Sequence, residues 1–399
     1  MRDETLSETL SLTDEEAPLP KGWRSVQLGK VSQFIYGSSL TTGARQKGDV
    51  PVYGSNGVVG FHNQAITNGE TIIIGRKGSV GEVSFSKVSC FPIDTTYFID
   101  KSATELDLRF LFYLLQKINL RELSKSTAIP GLSREDAYAL KVPLPPTIEE
   151  QRRIASVLDE QMKAVEDARL AVEAQLAAAN LLPNAFLRAV FESEEAQNWQ
   201  KRKLGELCFV KGGKRLPAGT DFAQSKTNYP YIRVTDLVNG TVRTSNLKYL
   251  DENTQKQISR YIINKDNVYI SIAGSIGFVG TISDDLDGAN LTENAARLVI
   301  LNGEELNRDF LAKFLQSPLG QSEIKQRTNL VGQPKLALER IATIEIPTQL
   351  KAEEQRKIAE KLNEQMQAVE TLKKSLTEKL EVIKKLSAAL LRKAFAGEI

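Results

Sequence analysis

Two stretches of the chain place apolar residues at alternating steps of four and three. The first reads Ile154, Leu158, Gln161, Val165, Ala168, Val172, Gln175, Ala179, Leu182, Phe186; the second reads Ile358, Leu362, Gln365, Val369, Leu372, Leu376, Lys379, Ile383, Leu386, Leu390. This spacing predicts two long helices, each turning one narrow face to a partner helix. The interruptions match as well: Gln161 with Gln365, and Gln175 with Lys379. Polar seam residues of this kind cost stability and fix register. Between the helices lie short apolar runs such as TIIIG (71–75) and NVYISI (267–272), which predict buried strands ending at glycine turns.

The match extends to the letters. EEQRRIASVLDEQMKAVE (149–166) and EEQRKIAEKLNEQMQAVE (353–370) share 13 of 18 residues at an offset of 204. The blocks between them repeat too. WRSVQLGKVSQFIYG (23–37) aligns with WQKRKLGELCFVKGG (199–213), KGSVG (77–81) with AGSIG (273–277), RFLFYLLQ (109–116) with DFLAKFLQ (309–316), and IPGLS (129–133) with QPKLA (333–337). A repeat of this length fixes architecture. The predicted fold class is α+β: two globular β-rich blocks separated by two long antiparallel coiled-coil helices, with pseudo-two-fold symmetry. The boundaries are an acidic tail (1–18), block one (19–146), helix one (147–195), block two (196–347) and helix two (348–399). Thr147 and Glu150 predict a capping box at the first helix, and Pro183 a kink inside it.

Charge changes the picture once it is divided. The net value is +2. Residues 23–146 carry 14 basic and 10 acidic side chains, and residues 199–346 carry 20 and 16, whereas residues 1–22 carry 2 and 6. Each block is therefore a mild cation, which suits a polyanionic partner. The N-terminal stretch is acidic and has no apolar core, so no signal peptide is expected. No apolar run approaches the ~20 residues of a membrane helix. Cys90 and Cys208 fall in different blocks, as a reduced, cytoplasmic protein would have them. One histidine, His62, cannot supply a zinc cluster with them and has no G-x-S-x-G partner for a triad. Nor is there an [ND]-P-P-[YF] tetrapeptide or a G-x-x-x-x-G-K-[ST] loop. Chemistry within the chain is not expected.

LPKGWRSVQLGKV (19–31), VPLPPTIEEQRRIASVLD (142–159) and IEIPTQLKAEEQRKIAEKLN (346–363), in block–helix–block–helix order, resemble the specificity subunits of type I restriction–modification systems. The resemblance covers nearly all of the chain from about residue 18. It implies that each block is a target recognition domain reading one half of a split double-stranded DNA sequence. It also implies that the helices set the spacer and bind two modification (methyltransferase) subunits, and that a motor-nuclease restriction subunit joins the complex. S-adenosylmethionine, ATP and Mg then belong to the partner subunits. The alternatives are a coiled-coil protein scaffold without DNA readout, and a methylation-only complex.

Base and phosphate contacts need polar side chains on loops. Three loop pairs qualify. The first supplies Arg45 and Lys47 against Lys211, Lys214 and Arg215. The second supplies Asn56 against Arg233, Thr235 and Asp236. The third supplies Arg76, Lys77 and Ser79 against Ser275. Bland readings stand beside each: a solvated turn for the first, a self-satisfied turn for Asn56 and Asp236, and a tight glycine turn for the third. The helix starts, with Glu149, Glu150, Arg152 and Glu353, Glu354, Arg356, repeat off the seam and are candidates for subunit docking, or are simply capped helix ends.

Overall fold

A computed structural model describes residues 19–123, 131–329 and 334–399. The acidic tail and parts of the IPGLS and QPKLA repeat lie outside the described residues. The chain divides into two compact units, one running to Glu173 and including Glu378–Ile399, the other Ala174–Thr377. Each unit therefore contains a piece of both long helices.

In the first unit, Arg24–Gln27 pairs antiparallel with Lys141–Leu144. An antiparallel sheet follows in the order Ile35–Tyr36, Thr96–Ile99, Thr71–Gly75, Val83–Ser86. Thr71–Gly75 is buried along its whole length, as its unbroken apolar run requires for a strand covered on both faces. A second sheet joins the hairpin Val50–Gly54 and Gly57–His62 to Phe91–Pro92, the last pair being parallel. The helix Leu108–Lys117 is capped by Asp107 and buries Phe110, Leu111 and Leu114 on the first sheet. The start of one long helix (Ile154, Leu158) and the end of the other (Leu391, Phe395) share this core, with Phe110 and Phe395 ring centroids 5.4 Å apart. The two helices thus meet here head to tail.

The second unit repeats the plan. Lys201–Lys203 pairs with Glu345–Pro347, and the sheet order is Cys208–Gly212, Ala295–Ile300, Val268–Ser271, Val279–Gly280. A second sheet again holds one parallel pair, Pro230–Ile232 with Ala289–Leu291. Helix Arg308–Gln316 takes the place of Leu108–Lys117, and Leu187 and Phe191 from one long helix join Ala359 and Leu362 from the other. Cys90 and Cys208 are free and buried. Burial pushes the Cys208 thiol up to about 12.

The long helices span Ile148–Phe191 and Ala352–Phe395, the first continuing through Pro183. The capping box is half formed: Thr147 Oγ1 accepts from the Glu150 amide at 3.2 Å, but the Glu150 carboxylate pairs with Arg153 instead. The seam needs a larger correction. Ile154, Leu158, Val172, Leu362, Val369 and Leu376 are buried, with Gln161, Val165, Ile358 and Gln365 partly so. Leu372, however, is 44% exposed. Ala168, Gln175, Lys379 and Leu386 are exposed as well. Past Val165 and Val369 one row of the seam holds, with Val172, Ala179, Leu376 and Ile383 buried at the predicted positions, while the alternate row moves on by one residue. The stripe then also follows steps of eleven, Ile154–Val165–Leu176–Leu187 and Ile358–Val369–Leu380–Leu391. A helix of 3.6 residues per turn drifts from a strict seven-residue repeat, and an eleven-residue step follows it more closely.

Candidate nucleic-acid interface

One backbone framework recurs in both units. A Cβ on Gly37 would lie 2.1 Å from the Ile93 carbonyl oxygen, and one on Gly213 the same distance from that of Thr292. These close approaches let the Ser38 amide donate to Pro92 O at 3.0 Å and the Lys214 amide to Leu291 O at 2.8 Å. Beside them, Gly78 and Gly81, and Gly274 and Gly277, all take positive φ, which only glycine adopts without strain. The amides of Leu132 and Leu336 close the arrangement by donating to Arg76 O and Ile272 O. The first and third loop pairs are therefore neighbours within each unit.

The charge hung on that framework differs. In the first unit Arg76 donates to Asp94 O, with its guanidinium carbon 5.3 Å from the Tyr36 ring centroid; Arg134 lies 4.7 Å from the same ring. Lys77 and Lys47 are exposed, and so is Asn56 at the tip of the hairpin. The Ser79 amide donates to Ser55 Oγ at 3.4 Å. Arg45 is used differently: its Nη1 donates to Val59 O at 2.7 Å and fills the space above Gly60, anchoring the hairpin. Burial raises the Tyr97 hydroxyl to about 12, so it stays protonated and donates to Leu132 O.

In the second unit Lys214, Arg215 and Lys335 line an open cleft of about 460 Å³ with Glu293, which holds Arg215 at 3.2 Å. Ser275 is exposed beside the cleft-lining Ala273. Lys211, Arg260, Tyr261 and Arg297 line a second cleft of about 400 Å³. The Lys214 ammonium lies 5.9 Å from the Tyr261 ring centroid. Arg233 and Asp236 are paired with each other rather than free on their loop. Asp236 is 4% exposed, and its oxygens accept from the Arg233 amide, Nε and Nη2 at 2.7–2.9 Å, closing the turn Val234–Asp236. Thr235 is exposed on that turn. Sequence reasoning missed Tyr36, Arg134, Arg260, Tyr261, Arg297 and Lys335. The only local signal was the Arg260–Tyr261 dipeptide, a cation beside an aromatic.

The repeated helix starts resolve residue by residue. Gln151 and Gln355 are buried clamps: Gln151 Oε1 accepts from the Asp107 amide at 3.0 Å, and Gln355 Oε1 from the Asn307 amide at 2.9 Å. Gln355 Nε2 also donates to Glu305 O and Leu350 O. Around them Glu149, Arg152, Glu353, Glu354 and Arg356 are exposed and Glu150 partly so. Several pair along the helix, Glu353 with Lys357 at 3.0 Å and Arg356 with Glu360 at 3.9 Å. Among the described residues no cluster of His, Cys, Asp and Glu forms a metal site, and no helix is long and apolar enough to cross a membrane.

A family model for the type I restriction modification DNA specificity domain matches residues 20–173 and 196–382. The chain is 23% identical to the type I restriction enzyme MjaVIII specificity subunit of Methanocaldococcus jannaschii, over 92% of this chain and 91% of that one. It is 22% identical to the EcoBI specificity subunit of Escherichia coli, over 83% and 74%. Its fold matches the crystal structure of the HsdS subunit from Thermoanaerobacter tengcongensis with a TM-score of 0.62 at 22% identity, over 97% of this chain and 100% of that one. A chain solved in work on complex assembly and conformational transition of the type I R-M system matches with a TM-score of 0.73 at 21% identity, over 96% and 100%. With two family matches that together span most of its length, the chain belongs to the type I restriction modification DNA specificity family.

Proposed function

We propose that this specificity subunit reads a bipartite double-stranded DNA target, one half with each unit's β-rich block. The long helices set the gap and dock two methyltransferase subunits, which carry S-adenosylmethionine; restriction subunits, with ATP and Mg, join them. The observation that carries the reading is the shared framework with unshared charge. Both blocks bring the same glycine-shaped loops together, yet one arms them with Arg76, Lys77 and Arg134 and the other with Lys214, Arg215 and Lys335. Equal scaffolds with different side chains suit two different half-sites, since base edges are distinguished by side-chain chemistry. The exposed Glu149, Arg152, Glu353 and Arg356 recur at both helix starts, as two copies of one docking partner require. Single-molecule sequencing of methylated bases tests this, in a host expressing the chain with its modification subunit and in one lacking this gene. A split methylated motif that disappears with the gene is expected. An active modification subunit that leaves the same motif in both hosts, or none, would refute the reading.

A further inference from the structure

The cleft beside Lys211 has features that the fold does not need. Arg297 sits on the middle strand Ala295–Ile300, where residues alternate between two faces. Ala296 and Leu298 enter the core beneath helix Arg308–Gln316, and Arg297 turns the other way. It is 9% exposed, its Nη2 donates to Arg260 O at 2.8 Å, and its Nη1 is buried without a hydrogen-bond partner. Its register partner across the sheet is Lys211, a like charge directly opposite, an arrangement that destabilises a sheet. The cleft is completed by Gly212, Arg260 and Tyr261, so three cations line it and no acid. Burial lowers the Arg297 pKa, consistent with a charge lacking a counterpart.

The first unit shows that the framework does without this charge. There the matched strand places Phe98 opposite Ile35, with Ile73 on its other side, whereas the second unit places Arg297 opposite Lys211, with Tyr269 on its other side. An apolar position has become a buried, partly unpaired guanidinium.

We propose that this cleft holds one backbone phosphodiester of the duplex, bonded by Arg297 and neutralised by Lys211 and Arg260. This rests on the DNA-reading function proposed above. A guanidinium aimed at a phosphate makes charge-assisted bonds in the geometry that arginine favours, and the bound anion separates the Arg297–Lys211 repulsion. The phosphate positions the second unit; it does not specify a base.

The test uses the full chain with its modification subunits and a duplex carrying the methylated motif. In R297F, which installs the residue found at the matched position, the apo protein should melt no lower than wild type. DNA affinity should fall about tenfold, and log K against log salt should flatten by roughly one. Single methylphosphonates scanned through the half-site should weaken wild type at one phosphate, and R297F should be indifferent there. K211M, at an exposed position, should weaken binding and flatten the slope likewise, and serves if R297F does not fold. Wild-type affinity and slope in both variants would overturn the proposal. So would R297F insensitivity to 7-deazaguanine at one position, which marks a base contact. A melting shift with millimolar inorganic phosphate, lost in R297F and without any methylphosphonate-sensitive position, would assign the cleft to a free anion and overturn it too. If wild type itself shows no salt-dependent binding to the motif, the DNA reading fails, and this proposal with it.

Discussion

Replacing Gln355 with Met keeps the side chain's length and removes its amide. Three backbone groups lose a partner: the Asn307 amide and the Glu305 and Leu350 carbonyls, held at 2.8–3.0 Å by a residue with no exposed surface. Leaving a buried polar group unsatisfied costs about 1–3 kcal/mol. Relaxation and water entry lower the sum, giving an expected loss of roughly 3–5 kcal/mol. For a unit the size of Ala174–Thr377, that is a fall of roughly 6–20 °C in melting temperature. Gln151 makes a single bond of this kind, to the Asp107 amide, so Gln151→Met should cost only about 1–2 kcal/mol. Urea unfolding of both variants gives the ranking. Hydrogen exchange gives the location, because the Asn307 amide should lose protection first in Gln355→Met. If the two variants are equally stable, or Gln151→Met is the worse, the clamp does not hold the helix start as described.

Two further perturbations test other parts of the description. Leu372→Ala should change stability by less than about 0.5 kcal/mol, because an exposed leucine leaves no cavity, whereas Leu380→Ala should cost about 2–3 kcal/mol; denaturant midpoints in the reverse order would restore the seven-residue seam. Lys313 is buried with its ammonium 3.3 Å from Met366 Sδ, and burial lowers its pKa below 10.5. A depressed lysine destabilises the folded state in full below its folded pKa, and the penalty fades as pH rises towards 10.5. Lys313→Met should therefore gain about 1–2 kcal/mol at pH 7, and the gain should shrink at pH 10. A loss at pH 7, or a difference independent of pH, would refute that account.

The repeated letters reveal the two-block plan, the long helices, the buried strand at 71–75 and the paired glycine turns, because these depend on local periodicity and on positions where only glycine fits. What the sequence hides is what arises across the sheet. Arg297 and Lys211 are 86 residues apart and become neighbours only through strand register. Arg134 reaches Tyr36 in the same way, by packing rather than proximity in the chain. EEQR reads as a capped helix start, and nothing local distinguishes the clamp Gln151 from its solvated neighbours. Arg233 and Asp236 look like free hydrogen-bonding groups on a loop, yet their spacing of three lets them satisfy each other. The seam shift is hidden because seven- and eleven-residue repeats coincide over the first turns of each helix.

The antiparallel ladders that open and close each block, Arg24–Gln27 with Lys141–Leu144 and Lys201–Lys203 with Glu345–Pro347, bring the two ends of each block side by side. A segment that leaves where it enters is a cassette. Recombination within the ladder codons would replace everything between them and leave both junctions intact. The incoming strands need only main-chain pairing, and these two-stranded ladders accept even proline, with Pro143 opposite Ser25 and Pro347 opposite Lys201. Exchange of one block then requires one crossover at each of its edges, provided that the incoming block keeps the apolar surface that meets the long helices, at Ile154, Leu158, Leu391 and Phe395 in the first unit.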